Sequence, residues 1–163
     1  MNIRKCLLVI FTSFVCFFSY AGEVIQGPYK ISHDTDSISV EKSSDEDCPV
    51  NLIVSGNKTS YVMDKLCING DFPNVRSVFF ARLGGVNYIG TIVSWYNKHQ
   101  AEGIDQTDYQ VTMYKKNKSG IYVIDKEKNN DASFYGTEDG TGDGSYRFNT
   151  ASAVKKYLMG KYN

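Results

Sequence analysis

Val75-Arg76-Ser77-Val78-Phe79-Phe80-Ala81-Arg82-Leu83-Gly84-Gly85 opens a stretch that runs to Asp125 and decides the fold. A second strand-like run, Tyr88-Ile89-Gly90-Thr91-Ile92-Val93-Ser94-Trp95-Tyr96, follows a Gly-Gly pair that accepts positive φ at little steric cost. That combination specifies a β-hairpin. Two further runs, Tyr109-Gln110-Val111-Thr112-Met113-Tyr114 and Ile121-Tyr122-Val123-Ile124, flank Asn117-Lys118-Ser119-Gly120, where Gly120 suits the left-handed position of a longer turn. The stretch therefore predicts a four-strand antiparallel meander. Val111 and Met113 share one side of their strand, as in a sheet with one solvated face. Residues 75–83 are apolar on both sides at their middle, which predicts a position inside a two-layer arrangement. Gly90, set among β-branched residues, marks a bulge or a close approach of another backbone.

Upstream of the meander, Val50-Asn51-Leu52-Ile53-Val54 and Thr59-Ser60-Tyr61-Val62-Met63 flank Ser55-Gly56-Asn57-Lys58 and predict another hairpin. Cys48 and Cys67 stand just outside its two ends. Of the four cysteines, Cys6 and Cys16 fall in the leader described below, so a single pairing remains and a Cys48–Cys67 disulfide is expected. Closing a loop of about 20 residues contributes about 3 kcal/mol in the chain-entropy treatment. Weaker strand patterns, Tyr29-Lys30-Ile31-Ser32 and Ser37-Ile38-Ser39-Val40, are separated by a turn at His33-Asp34-Thr35-Asp36, with Pro28 just ahead of the first. The acidic run from Glu41 to Asp47 reads as a solvated loop, and one able to meet a basic partner.

Residues 1–21 carry Arg4 and Lys5, an apolar run from Cys6 to Phe18, and Ser19-Tyr20-Ala21. This is the pattern of a secretory signal peptide, with cleavage expected after Ala21 and a periplasmic or secreted product. The apolar run is short for a membrane span and nothing later is longer, so no membrane insertion is expected after cleavage. Residues 22–163 are expected to form a single β-rich domain. Loss of Arg4 and Lys5 leaves 16 basic against 18 acidic side chains, a weakly acidic protein. Lys115-Lys116-Asn117-Lys118 fits an exposed hairpin tip, and the charge balance argues against nucleic acid as a partner.

Downstream, residues 127–145 are rich in Asn, Asp and Gly and read as a flexible loop. Within it Asp139, Thr141, Asp143 and Ser145 fall at the first, third, fifth and seventh places of a calcium-loop spacing, with Gly144 at the sixth. The twelfth place is Thr150, where such a loop needs a carboxylate, and no flanking helices are indicated, so the flexible loop is the favoured reading and calcium the one cofactor to set beside it. The chain then ends in a short amphipathic helix. Asn149 or Thr150 caps it, Val154, Tyr157 and Leu158 form its apolar face, and Gly160 is placed to end it. The fold class expected is mainly β (α+β), an antiparallel meander or sandwich-like sheet with one C-terminal helix.

Chemistry is sparse. His33 and His99 sit in no nucleophile or metal pattern, and no nucleophile elbow, zinc-protease or phosphate-loop motif is present. The densest polar cluster is the connection from Asn97 to Asp108, with one imidazole and three carboxylates. It is longer than a hairpin needs, and long loops on rigid scaffolds carry function or are mobile. Three readings stay open. The first is a protein-binding surface formed by Tyr96, His99, Glu102 and Asp105, with no catalytic residue. The second is a small cell-wall-directed hydrolase or carbohydrate-binding module using His99, Glu102 and Asp105 around Trp95. The third is calcium-dependent adhesion through the 139–145 loop.

The order of leader, disulfide-stapled hairpin, Val78-Phe79-Phe80-Ala81, Tyr88-Ile89-Gly90-Thr91-Ile92-Val93-Ser94-Trp95 and Tyr109-Gln110-Val111-Thr112-Met113-Tyr114 resembles small periplasmic proteins encoded beside type VI secretion toxins. Those act as immunity proteins. The resemblance covers residues 75–125 and implies an inhibitor whose partner is a cognate toxin or effector enzyme, covered at its active site. It carries no catalytic residues across.

Overall fold

A computed structural model describes residues 22–31, 34–57, 59–140 and 145–162. The expected leader, its cleavage point, and His33 lie outside the described residues. Nine strands form two antiparallel sheets among these residues. The first sheet is a meander of β1 (Val24–Lys30), β2 (Ser37–Lys42), β3 (Val50–Ser55) and β4 (Ser60–Leu66). The second is a meander of β5 (Asn74–Leu83), β6 (Val86–His99), β7 (Ile104–Lys116) and β8 (Tyr122–Ile124), with β9 (Tyr135–Asp139) pairing on β7 beside β8. A one-turn helix, α1 (Lys126–Asn129), precedes β9, and α2 (Ala151–Tyr162) closes the chain.

Alternation along the strands builds the two cores. In β3 Val50, Leu52 and Val54 are buried while Asn51, Ile53 and Ser55 are half-exposed, so the first sheet has one dry face and one wet face. The dry face, with Ile38 and Val40 of β2, packs against Ile89, Val93, Trp95 and Tyr114 of the second sheet. The opposite face of that second sheet, through Phe79, Ile92, Val111 and Met113, packs against Val154 and Leu158 of α2 and against Phe134, Tyr146 and Phe148. The second sheet is therefore covered on both sides. The solvated face expected opposite Val111 and Met113 is instead covered by the first sheet, where Tyr114 is buried, and three layers replace two. Burying each large apolar side chain contributes about 1.5–3 kcal/mol, so a sheet that buries two faces is the element on which the others depend.

Polar side chains stitch the sheets together at their rims. Gln26 Nε2 donates to Val75 O at 2.6 Å, Trp95 Nε1 to Cys67 O at 2.9 Å, and Tyr114 OH to Asp64 Oδ2 at 2.7 Å. Lys116 bridges Asp34 and Asp36, and Tyr122 OH donates to Asp34 at 3.1 Å. The disulfide forms as expected, Cys48 to Cys67, one step beyond the Val50–Leu66 pair that ends the β3–β4 ladder.

Several expectations are corrected. Gly90 carries no bulge; the Phe79 ring lies over its Cα, and a Cβ there would sit 2.1 Å from Phe79 Cζ. The irregularity in this ladder falls between Val75 and Ser77 instead. Pro28 is inside β1 rather than ahead of it, tolerated because β1 is an edge strand. Lys115 and Lys116 belong to β7, where each holds a carboxylate, so only Asn117–Gly120 turns. Asp45, in the acidic loop, faces Lys65 and the loop's own amides at Asp47 and Cys48. Residues 127–145 are not simply a loop, since Asp125 and Asp131 cap successive short helical turns and β9 follows. Finally, α2 continues through Gly160 to Tyr162, with Thr150 Oγ1 accepting from Ala153 N at 3.4 Å at its start.

Candidate binding site at the β6–β7 ribbon

The segment expected to be a long connection is mostly strand. β6 runs to His99 and β7 begins at Ile104, leaving Gln100-Ala101-Glu102-Gly103 as a short turn that Gly103 closes at φ 68°. Neighbouring strands stop earlier. β5 last pairs β6 at Asn74–Ser94, and β9 last pairs β7 at Asp139–Gln106. The pairs Lys98–Asp105 and His99–Ile104 consequently form a two-stranded ribbon beyond the edge of the sheet.

Register decides which predicted residues meet. Tyr96, Lys98, Asp105 and Thr107 share one face of the ribbon, and Asn97, His99, Ile104 and Gln106 share the other. Tyr96 OH donates to Asp105 Oδ1 at 2.9 Å, and Lys98 Nζ lies 3.2 Å from Asp105 Oδ2. The Tyr96 hydrogen bond, and then Lys98, hold the Asp105 carboxyl below its usual range, while Asp105 raises Lys98. Tyr96 and Asp105 are thus brought together. His99 is on the opposite face and exposed, and Glu102 sits exposed in the turn. The expected acidic pair is split: Asp105 is latched to two neighbours on its own face, and Glu102 stands at the tip.

The base of the ribbon is fixed by a carboxylate that sequence reasoning left unassigned. Asp108 Oδ2 accepts from Asn97 Nδ2 at 2.7 Å, and Oδ1 accepts from Gln106 Nε2 at 3.2 Å and from Thr137 Oγ1 at 2.9 Å. It therefore joins β6, β7 and β9. Gly140 N also donates to Asp105 O at 2.8 Å, carrying the β9 side one step further along the ribbon. The missing signal was the pairing of Lys98 with Asp105 across an extended hairpin, visible only once both strands are drawn through polar residues.

Trp95, placed at the centre of the hydrolase reading, is 7% exposed and its indole N–H is committed to Cys67 O. Its ring packs between the sheets instead of lying open as a sugar platform. Of the calcium-loop residues, Asp139 ends β9 and Ser145 is exposed, while Thr141 and Asp143 lie outside the described residues. Among the described residues no three His, Cys, Asp or Glu side chains gather as a metal site. No described helix is long and apolar enough to cross a membrane. No protein-family model, curated protein or solved structure matches the chain.

Proposed function

We propose that this chain is an exported binding protein that neutralises a secreted toxin enzyme by protein–protein contact, and that the β6–β7 ribbon makes the contact. The observation that carries this reading is the set of contacts within the ribbon: a projecting hairpin joined by Tyr96, Lys98 and Asp105 on one face and anchored at its base by Asp108. Ordering a flexible surface costs free energy for each side chain immobilised on binding, so a preformed ribbon keeps more of its contact energy as affinity. Tyr96, 47% exposed, supplies apolar area, and Glu102 and His99 offer polar contacts at the tip. A two-stranded ribbon is also narrow enough to enter an enzyme cleft. The Cys48–Cys67 disulfide is compatible with an oxidising, exported location, and the resemblance to immunity proteins supplies the class of partner.

Shortening the tip tests the assignment. Replacing Gln100-Ala101-Glu102-Gly103 by Asn-Gly keeps the His99–Ile104 register, because that dipeptide closes a two-residue hairpin. The variant should fold and bind the partner at least tenfold more weakly, about 1.4 kcal/mol. Unchanged affinity in the folded variant moves the interface elsewhere.

A further inference from the structure

The charge of the chain is divided unevenly. Residues 145–162 carry Arg147, Lys155, Lys156 and Lys161 and no acidic side chain, although the chain as a whole has equal numbers of each sign. Three of these cations rim a groove of about 620 Å³ alongside α2, floored by Phe148, Ala153 and Tyr157. Two of the three cations are held in place. The Arg147 guanidinium lies 4.2 Å from the Phe148 ring centre and 5.0 Å from that of Tyr157, and among the described residues it makes no ion pair. Lys161 is fixed by Asp131 at 2.8 Å, and Asp131 also accepts from Tyr157 OH at 2.5 Å. Lys156 likewise has no carboxylate partner among the described residues.

An apolar floor rimmed by cations, two of them held by neighbours, complements an apolar side chain flanked by carboxylates. We infer that this groove is a second recognition site, distinct from the ribbon, for an acidic segment of a partner protein that inserts one aromatic or aliphatic side chain. Arg147 is suited to grip a carboxylate with two parallel N–H bonds, and its contacts with the Phe148 and Tyr157 rings place it at the rim in advance. A membrane surface is the less suitable occupant. Met159 is the one large apolar side chain that α2 exposes, too little area for a helix to lie in a bilayer interface.

Fluorescence anisotropy of a fluorescein-labelled peptide, one phenylalanine between two pairs of glutamates, tests the inference. The peptide should bind, and binding should weaken as salt is raised. Its affinity should fall at least tenfold in an Arg147→Ala, Lys156→Ala double variant. A second variant guards against misfolding. Gly160 lines the groove, and a Cβ there meets nothing within 4 Å, so Gly160→Leu should favour the helix, project into the groove and block the peptide. Equal binding of the glutamine-substituted peptide, or unchanged binding by both variants, overturns the inference. So does failure to bind the peptide, whether the protein instead sediments with phosphatidylglycerol vesicles or forms a dimer that both variants abolish.

Discussion

At Gly90 and at Gly136 the chain places no side chain where a ring needs the space. Phe79, the cross-strand neighbour of Gly90, covers it, and Tyr146 covers Gly136 on β9, where a Cβ would lie 2.2 Å from Tyr146 Cδ2. Both rings belong to the core beneath α2, so each glycine extends the depth of that core by letting an aromatic lie on the backbone. A methyl group at either position must displace a packed ring rather than the loose end of a flexible chain. Gly90→Ala is therefore expected to cost about 1–3 kcal/mol in a urea titration, as overpacking does. The Phe79→Leu background should relieve part of that cost; equal losses in both backgrounds would show that the ring is not the obstacle. From the sequence, Gly90 was legible as a position of close approach, but not that a ring rather than a backbone approaches. That distinction depends on which residue the register sets opposite, and the irregularity at Val75–Ser77 shifts the register.

Elements with one dry face announced themselves, and elements with two wet faces did not. β3 alternates buried and half-exposed residues without a break, and the turns at Gly84-Gly85 and Asn117–Gly120 adopt the positive φ that their glycines suggested. Beyond Trp95, by contrast, β6 continues through Tyr96, Asn97, Lys98 and His99, and β7 begins with Ile104, Asp105, Gln106 and Thr107. Both faces of the ribbon meet water, so no hydrophobic period exists to be read, and its backbone pairing is held by cross-strand contacts such as Lys98–Asp105. β9 was missed because its covered face is formed by Gly136 beneath Tyr146 and by the half-buried Glu138, which carry no apolar period. The disulfide was legible because only one pairing was available. It closes a separation of 19 residues around the β3–β4 hairpin, so removing it with Cys48→Ser and Cys67→Ser should lower unfolding stability by about 3 kcal/mol. A loss below about 1 kcal/mol would mean that the hairpin's unfolded ensemble is already constrained.

Over the whole molecule, paired carboxylates and buried phenols set the pH range of stability. Burial opposes charge on Asp34, Asp125 and Asp131, yet their partners outweigh it: Lys116 at Asp34, Lys115 and Tyr88 at Asp125, and Lys161, Ser133 and Tyr157 at Asp131. Each folded pKa lies below the ordinary 3.8, so this stabilisation is present above about pH 4 and is lost as pH falls through the folded values. At the other end, burial and then Asp125 push the Tyr88 phenol from 10.0 up to about 12, and burial pushes Tyr146 to about 12. Raised values mean that the folded state retains the proton, so this stabilisation is present below pH 10 and is lost as pH rises toward 12. Urea midpoints measured from pH 2 to 12 should form a plateau falling at both ends, with a shallower acid limb in Asp131→Asn. A midpoint that rises below pH 4 would contradict the carboxylate pairing. The most direct measurement takes the toxin enzyme that the proposal requires, sought as the product of a neighbouring gene, and follows its activity as this chain is added. Stoichiometric loss of activity is expected with the full ribbon, and a half-inhibition point at least tenfold higher with the folded, tip-shortened variant. Undiminished activity at excess protein, or equal inhibition by the two proteins, would contradict inhibition through the β6–β7 ribbon.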